Sequence, residues 1–372
     1  MQASKKNLLE RLESGLVIGD GSFVFTMEKR GYVAAGPFTP EAAVLYPDAV
    51  RQLHREYLRA GSDVMQTFTF YSSDDKLQFQ GVSEDKHRSH ALTSIEINDA
   101  ACDLAREVAN EGDALVAGGL SPVPSYREGK GKEFVQEEFR KQCKVFREKD
   151  VDFLIGEFFA SVEEAEWAIE VMKELKKPVA CTMRICTRGD WKDVKPGDCA
   201  VRMAKAGADV VGVNCCYEPN MCLETMALMK AGLDGAGLKA HLIAQPVGFH
   251  TEEIGTNLSG YAALPDYPFA METRMINRFD AQKFARKAYE LGVRYIGGCC
   301  GFEPYHIRAM AEELAQERGK NPPGADMSPG VDGLKVSVME YVAARANKEY
   351  WANLIPAAGR KDAKNLSELP RD

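Results

Sequence analysis

Residues 205–216 read KAGADVVGVNCC, and this run decides how the chain is organised. A helical pattern stops at Gly207, the residue type that most readily takes the left-handed turn closing a helix. An apolar strand-like run follows at once and ends in Asn214, Cys215 and Cys216. The same junction recurs in RAGSDV (59–64) and ELGVRY (290–295). Counting outward, eight strand-like runs occur in order: LVIGDG (16–21), VMQTFTF (64–70), ALVAGGLSP (114–122), DFLIGEFF (152–159), PVACTMRI (178–185), DVVGVNCC (209–216), AHLIAQPVG (240–248) and YIGGCCG (295–301). Helical patterns such as PDAVRQLHREYLRAG (47–61) and EEAEWAIEVMKELKK (163–177) separate them. Eight strand-then-helix units predict an α/β fold, a (β/α)8 TIM barrel over residues 1–318. Beyond it the pattern changes to a Pro/Gly linker, NPPGADMSPGVDG (321–333), and a helical tail, VMEYVAARANKEYWANL (338–354). Residues 319–372 are too few to form a domain. With Tyr341, Tyr350 and Trp351, this segment reads as a C-terminal helical arm that packs on another subunit, docking on its own barrel being the alternative.

Composition bounds the chemistry. The chain has 372 residues, 45% hydrophobic and 27% charged, with a formal net charge of -8. It can bury a large core, and its acidic balance gives no bulk attraction for nucleic acid or an anionic membrane. The N-terminal MQASKKNLLERLESG is charged and amphipathic, without the apolar centre of a signal peptide, and no run has the apolar length of a membrane span. A cytoplasmic location is expected. In that reducing compartment the 10 cysteines should mostly be buried small hydrophobes, with metal ligation or catalysis as the main alternatives. Cys102, Cys143, Cys181, Cys186, Cys199 and Cys222 read as small core residues.

In a barrel, function gathers where the strands end. Asp20-Gly21-Ser22 follow the first run, Thr67 to Tyr71 the second, Glu157-Phe158 the fourth, Asn214-Cys215-Cys216 the sixth, and Cys299-Cys300 the eighth. Neighbouring cysteines rarely bond to each other, because the bridge would strain the peptide between them. A single strand-end cysteine is usually buried and inert. Two pairs at matched ends of one barrel raise the prospect of metal ligation and make a three-thiolate site possible. No CxxC occurs, so the structural-zinc and dithiol-redox signature is missing, and three ligands with an open position are of the catalytic kind. A helix opening at Pro304 would favour nearby thiolates through its N-terminal dipole. His306, in its first turn, reads as a helix-surface residue.

Together DGSFVFTMEKRGYVAAGPFTPEAAV (20–44), RQLHREYLRAGSDVMQTFTFYSS (51–73), GVNC and GVRYIGGCCGFEPYHIRAMAEELAQERG (292–319) closely resemble the betaine-homocysteine S-methyltransferases, zinc members of the homocysteine methyltransferase family. The resemblance runs from about Leu8 to Trp351. It implies a (β/α)8 barrel with a dimerisation arm, a homodimer or homotetramer, and one zinc per chain held by Cys215, Cys299 and Cys300. Cys216 stands at a position that is not a ligand in relatives. The implied reaction passes a methyl group from a methylated cation to homocysteine, whose thiol zinc keeps deprotonated and nucleophilic. Asp20, Gly21 and Glu157 match contacts to the amino-acid end of homocysteine. Gln66, Thr67 and Asp266 fall near the pocket, Asp266 replacing a longer Glu. Tyr71 matches a tyrosine that contacts the donor and can ligate zinc.

The donor end departs from the family. Phe38 replaces a tryptophan and Phe158 a tyrosine, which keeps a π-face for a cation and removes polar contacts. In the arm, Arg345 matches a basic residue reaching the donor carboxylate of the adjacent subunit, whereas Ser337 stands where histidine is expected. Betaine is the expected donor. S-methylmethionine or dimethylsulfoniopropionate is the alternative, and a non-catalytic structural-zinc or thiol-redox protein the reading from a different class.

Overall fold

The computed structural model describes residues 5–34, 40–80, 92–326 and 349–350. All eight expected strands form: β1 (Val17–Ile18), β2 (Val64–Gln66), β3 (Leu115–Leu120), β4 (Phe153–Phe159), β5 (Val179–Met183), β6 (Val210–Asn214), β7 (His241–Gln245) and β8 (Tyr295–Ile296). They make one parallel sheet in the order β1-β8-β7-β6-β5-β4-β3-β2. The remaining seam, between β1 and β2, is bridged by Asp63, whose N–H donates to the Ile18 carbonyl (2.7 Å) and whose carboxylate accepts from the Ile18 N–H (2.9 Å). A TIM barrel results.

Alternation along each strand divides the core. Val17, Val64, Leu115, Phe153, Val210 and Ile243 pack together with Leu8 and Leu12 of the first helix. Their neighbours Ile18, Met65, Val116, Leu154 and Val211 join the layer beneath the outer helices. The helix Pro47–Ala60 buries Val50, Leu53, His54, Tyr57 and Ala60, one stripe at helical spacing, and stops at Gly61 in the left-handed conformation (φ 104°). Gly207 (φ 110°) and Gly292 (φ 104°) end their helices in the same way.

Strands β1 and β8 are shorter than their apolar runs because the chain there closes on itself. A Cβ on Gly19 would lie 2.8 Å from the Tyr295 ring and 3.3 Å from the Gly297 Cα. Two backbones pass too closely there for side chains, and hydrogen bonds still join them past the paired residues, the Gly298 N–H donating to the Asp20 carbonyl (3.0 Å), as the segments carrying Asp20 and Cys299 enter the mouth. The helix at Pro304–Glu313 follows. His306 is a correction: it is fully buried, its Nδ1 accepting from the Glu303 N–H (3.0 Å) and its Nε2 2.7 Å from the Ile276 carbonyl. A position one turn into an amphipathic helix fixes spacing, and here the face carrying His306 turns inward. Most of the expected arm, with Ser337 and Arg345, and also Phe38, lies outside the described residues.

Candidate active site

Strand ends bring Asp20, Gly21, Gln66, Thr67, Glu157, Phe158, Cys215, Cys299 and Cys300 around one cavity of about 80 Å³. The sixth and eighth strand exits are pinned to the seventh. The Cys215 N–H donates to the Gln245 carbonyl (2.8 Å), the Cys299 N–H to the Pro246 carbonyl (2.9 Å), and the Gly248 N–H to the Cys300 carbonyl (2.8 Å). Cys215 and Cys216 both take positive φ, 61° and 62°, a conformation that turns the chain sharply as it leaves β6.

The sulfurs of Cys215, Cys299 and Cys300 all lie within 4.8 Å of one another. Cys215 Sγ is 3.8 Å from Cys300 Sγ, far beyond a disulfide, and all ten cysteines are free. Tetrahedral zinc with Zn–S of about 2.3 Å sets its sulfurs roughly 3.8 Å apart, so this donor set and spacing fit that metal. Burial pushes the Cys215 thiol well up. Cys300 is pulled well down, because Cys215 and Cys299 both hydrogen-bond to its sulfur. Cys216 is not one of the three; its sulfur accepts from Arg184 Nη1 (3.4 Å).

Two acids line the same cavity. Glu157 accepts from Gln66 Nε2 (2.5 Å) and Asn214 Nδ2 (3.1 Å). Asn214 is itself held, its Oδ1 accepting from the Phe158 N–H (2.8 Å) and from Thr182 Oγ1 (2.8 Å), which obliges its amide N–H to face Glu157. Asp20 accepts from the Gln66 N–H (3.1 Å). Burial raises Asp20 to about 7; burial, then the charges of Asp20 and Cys300, raise Glu157 to about 8. Neither acid has a Lys or Arg partner among the described residues. An ammonium between them would lower both.

The sequence profile described as "Homocysteine S-methyltransferase" matches residues 17–314, a span holding all three thiols and both acids. The chain belongs to the homocysteine S-methyltransferase family. It is therefore a methyltransferase, as its relatives' names agree. It is 57% identical over 98% of its length to "Betaine--homocysteine S-methyltransferase 1" of Xenopus tropicalis, covering 90% of that protein. It is 55% identical, over 98% of its length and 97% of the relative, to "S-methylmethionine--homocysteine S-methyltransferase BHMT2" of Pongo abelii. Among solved structures, the metallated homocysteine methyltransferase MmuM of Escherichia coli superposes with a TM-score of 0.60 at 17% identity, over 82% of this chain and 97% of that one, a likeness of fold.

The other expected residues of this family member divide by position. Thr67 lines the cavity, its Oγ1 accepting from the Gly119 N–H (3.0 Å). Gly21 lines it too, but a Cβ there would sit 2.3 Å from the Phe302 carbonyl oxygen, so close backbone packing by itself requires glycine. Asp266 is turned to Arg274 Nε (2.5 Å) and is not among the residues lining the cavity. Tyr71 borders a second cavity of about 720 Å³, which shares Phe158 as a wall with the first. Glu157 and Phe158 both reach the mouth because the β4–β5 register shifts between Gly156 and Phe159, and Phe158 takes φ 70°. Asn214 and Phe70, which the sequence places at strand ends without a role, also line the thiol cavity, as do Gln245 and Tyr261. For Asn214 the signal was at hand, directly before Cys215 in GVNC.

Proposed function

We propose that this methyltransferase transfers a methyl group from betaine to homocysteine, giving methionine and dimethylglycine, with one zinc held by Cys215, Cys299 and Cys300. The observation that carries the reading is that three converging thiols and two acids without a Lys or Arg partner among the described residues line one cavity. A thiol with an ammonium at its far end fits between them. Bound at the thiols, zinc would supply a Lewis acid that keeps an incoming thiol deprotonated at neutral pH.

The chain's own residues do the rest. Glu157, aimed by Asn214 and Gln66, and Asp20 take the ammonium, which fixes the acceptor's direction relative to the thiols. Phe70, Phe158 and Tyr71 form a connected aromatic wall, with ring centroids 4.2 Å apart for Phe70–Tyr71 and 5.3 Å for Phe70–Phe158. That wall offers π-faces to a methylated cation. Methyl transfer forms a sulfur–carbon bond to the acceptor and breaks the donor's nitrogen–methyl bond, whose electron pair stays on nitrogen. Phe38 and, from a neighbouring subunit of a homodimer or homotetramer, Arg345 complete the donor end in this reading, with residues 319–372 as the arm.

A sulfonium donor is the second reading, favoured by two observations. The relative named for S-methylmethionine is nearly as similar as those named for betaine, and Phe158 has no hydroxyl to add a polar contact. The test is methionine formation from homocysteine by zinc-loaded protein, with glycine betaine, S-methylmethionine and dimethylsulfoniopropionate side by side. Betaine turnover is expected. Turnover confined to a sulfonium would replace the donor, and none with any of them would reject the reaction.

A further inference from the structure

Two of the three thiols have hydrogen-bond donors from outside their own cluster. Asn214 Nδ2, which donates to Glu157, also stands 3.9 Å from Cys299 Sγ, a long N–H···S contact. Tyr261 supplies the second donor, its side chain hydrogen-bonding to the Cys300 sulfur. Tyr261 is buried and lines the thiol cavity. It arrives on the loop after β7, which two bonds pin to the exit of β6: the Tyr261 N–H donates to the Cys216 carbonyl (2.9 Å) and the Tyr217 hydroxyl to the Asn257 carbonyl (2.8 Å). At Gly260 (φ 59°) the loop passes so close that a Cβ would lie 2.6 Å from the Cys216 Cβ. The Tyr261 ring stacks on Phe249 (centroids 6.0 Å apart, planes at 15°) and meets Tyr267 edge-on (5.2 Å). Backbone and ring contacts thus hold the hydroxyl in place, and they would remain if it were removed.

Charge explains what such a donor does. A dication on three thiolates is already net negative, and an acceptor thiolate adds a further negative charge in a cavity that Asp20 and Glu157 also line. The acceptor's ammonium answers the acids and leaves the sulfurs uncompensated. An O–H or N–H directed at a thiolate takes up part of its charge without a counter-ion, and does so most effectively where water is excluded. We propose that Tyr261 is a positioning residue for the methyl transfer, its hydroxyl on Cys300 Sγ offsetting the charge that a fourth, substrate thiolate brings to the cluster. This rests on the acceptor reading above. The bond therefore discriminates between ligands. Homocysteine enters as an anionic sulfur and depends on it, whereas methionine, with a neutral thioether and the same ammonium and carboxylate, does not.

Full-length zinc-loaded protein, titrated calorimetrically with homocysteine and with methionine, gives the ratio of the two Kd values. Tyr261→Phe removes only the hydroxyl and should weaken homocysteine about tenfold, the lower end for losing a hydrogen bond to a charged group, while methionine moves less than about twofold. In cobalt-substituted protein the thiolate-to-metal charge-transfer band of the same variant should move to longer wavelength, because a sulfur that has lost a donor gives up its electron more readily. Tyr267→Phe, the same deletion on a neighbouring ring of the loop, should leave ratio and band as they are in the parent. Equal weakening of both ligands, an unmoved ratio or band in Tyr261→Phe, or an equal effect in Tyr267→Phe would overturn the role of Tyr261 and leave the acceptor reading standing. A parent protein whose cobalt spectrum homocysteine leaves unchanged would overturn the acceptor reading, and the role of Tyr261 with it.

Discussion

Replacing Glu157 by Gln tests the acceptor end with little disturbance to its frame. The variant keeps the side chain's size and removes its charge. Asn214 cannot turn, since its Oδ1 is bound to the Phe158 N–H and Thr182 Oγ1 at 2.8 Å each, so its Nδ2 will donate to the new amide oxygen. The new amide N–H then faces Gln66, whose terminal amide can flip to present oxygen. Packing therefore survives, and the loss is that of a charged partner for the acceptor's ammonium. A hydrogen bond to a charged group contributes about 1.5–3 kcal/mol, and each 1.4 kcal/mol is a factor of ten. The KM for homocysteine should rise roughly 10- to 100-fold. Zinc content, measured by elemental analysis, should match the parent. An unchanged KM would refute the assignment of the ammonium to Glu157, and loss of zinc would refute the separation of the two halves of the cavity.

Two more outcomes follow from the same cavity. Cys215→Ala, Cys299→Ala and Cys300→Ala should each lose zinc by more than the roughly 10- to 100-fold typical of losing an outer partner, with circular dichroism unchanged; loss of metal in Cys216→Ala beside retention in Cys215→Ala would reverse the ligand assignment. Because burial raises Asp20 from 3.8 to about 7 and Glu157 from 4.5 to about 8, the folded protein binds more protons than the unfolded chain between those values. Their stabilising contribution is complete below the unfolded values and is lost as pH rises through about 7 and 8. Melting temperature should fall across that window, less steeply in Glu157→Gln and less steeply when methionine supplies an ammonium; identical slopes in parent and variant would show that Glu157 does not titrate there.

How much of this could be read in the chain depends on the range of the interaction. Helix stops at Gly61, Gly207 and Gly292 are local, since a residue without Cβ takes the left-handed turn at little steric cost, and they marked the repeating unit. Eight such units leave few ways to bury their apolar faces, so the barrel followed, and the barrel placed Cys215 near Cys299 and Cys300 across 84 and 85 positions. Contacts set by side-chain direction were not legible. Whether His306 faced water or core depended on where the Ile276 carbonyl would stand. Asp266 had a position near the site in the resemblance, yet its partner Arg274 comes from the same loop and engages its carboxylate. The partition at Phe158 depends on a register shift that no local pattern announces.

Backbone conformation ties these observations together. Seven described non-glycine residues have positive φ, and four of them are Tyr71, Phe158, Cys215 and Cys216. Such conformations cost about 1–3 kcal/mol each and persist where surrounding bonds hold them. Here the bonds are visible: the Tyr71 N–H donates to Ser121 Oγ (2.8 Å), the Phe158 N–H to Asn214 Oδ1 (2.8 Å), and the Cys215 N–H to the Gln245 carbonyl (2.8 Å). Asn214 links two of the four, since it anchors Phe158 and directly precedes Cys215. The side chain that aims Glu157 thus also fixes the wall between the thiol cavity and the larger cavity beside it, and its own backbone leads into the first thiol. The relative placement of the two cavities is therefore set by the strained exits of β4 and β6, through one amide.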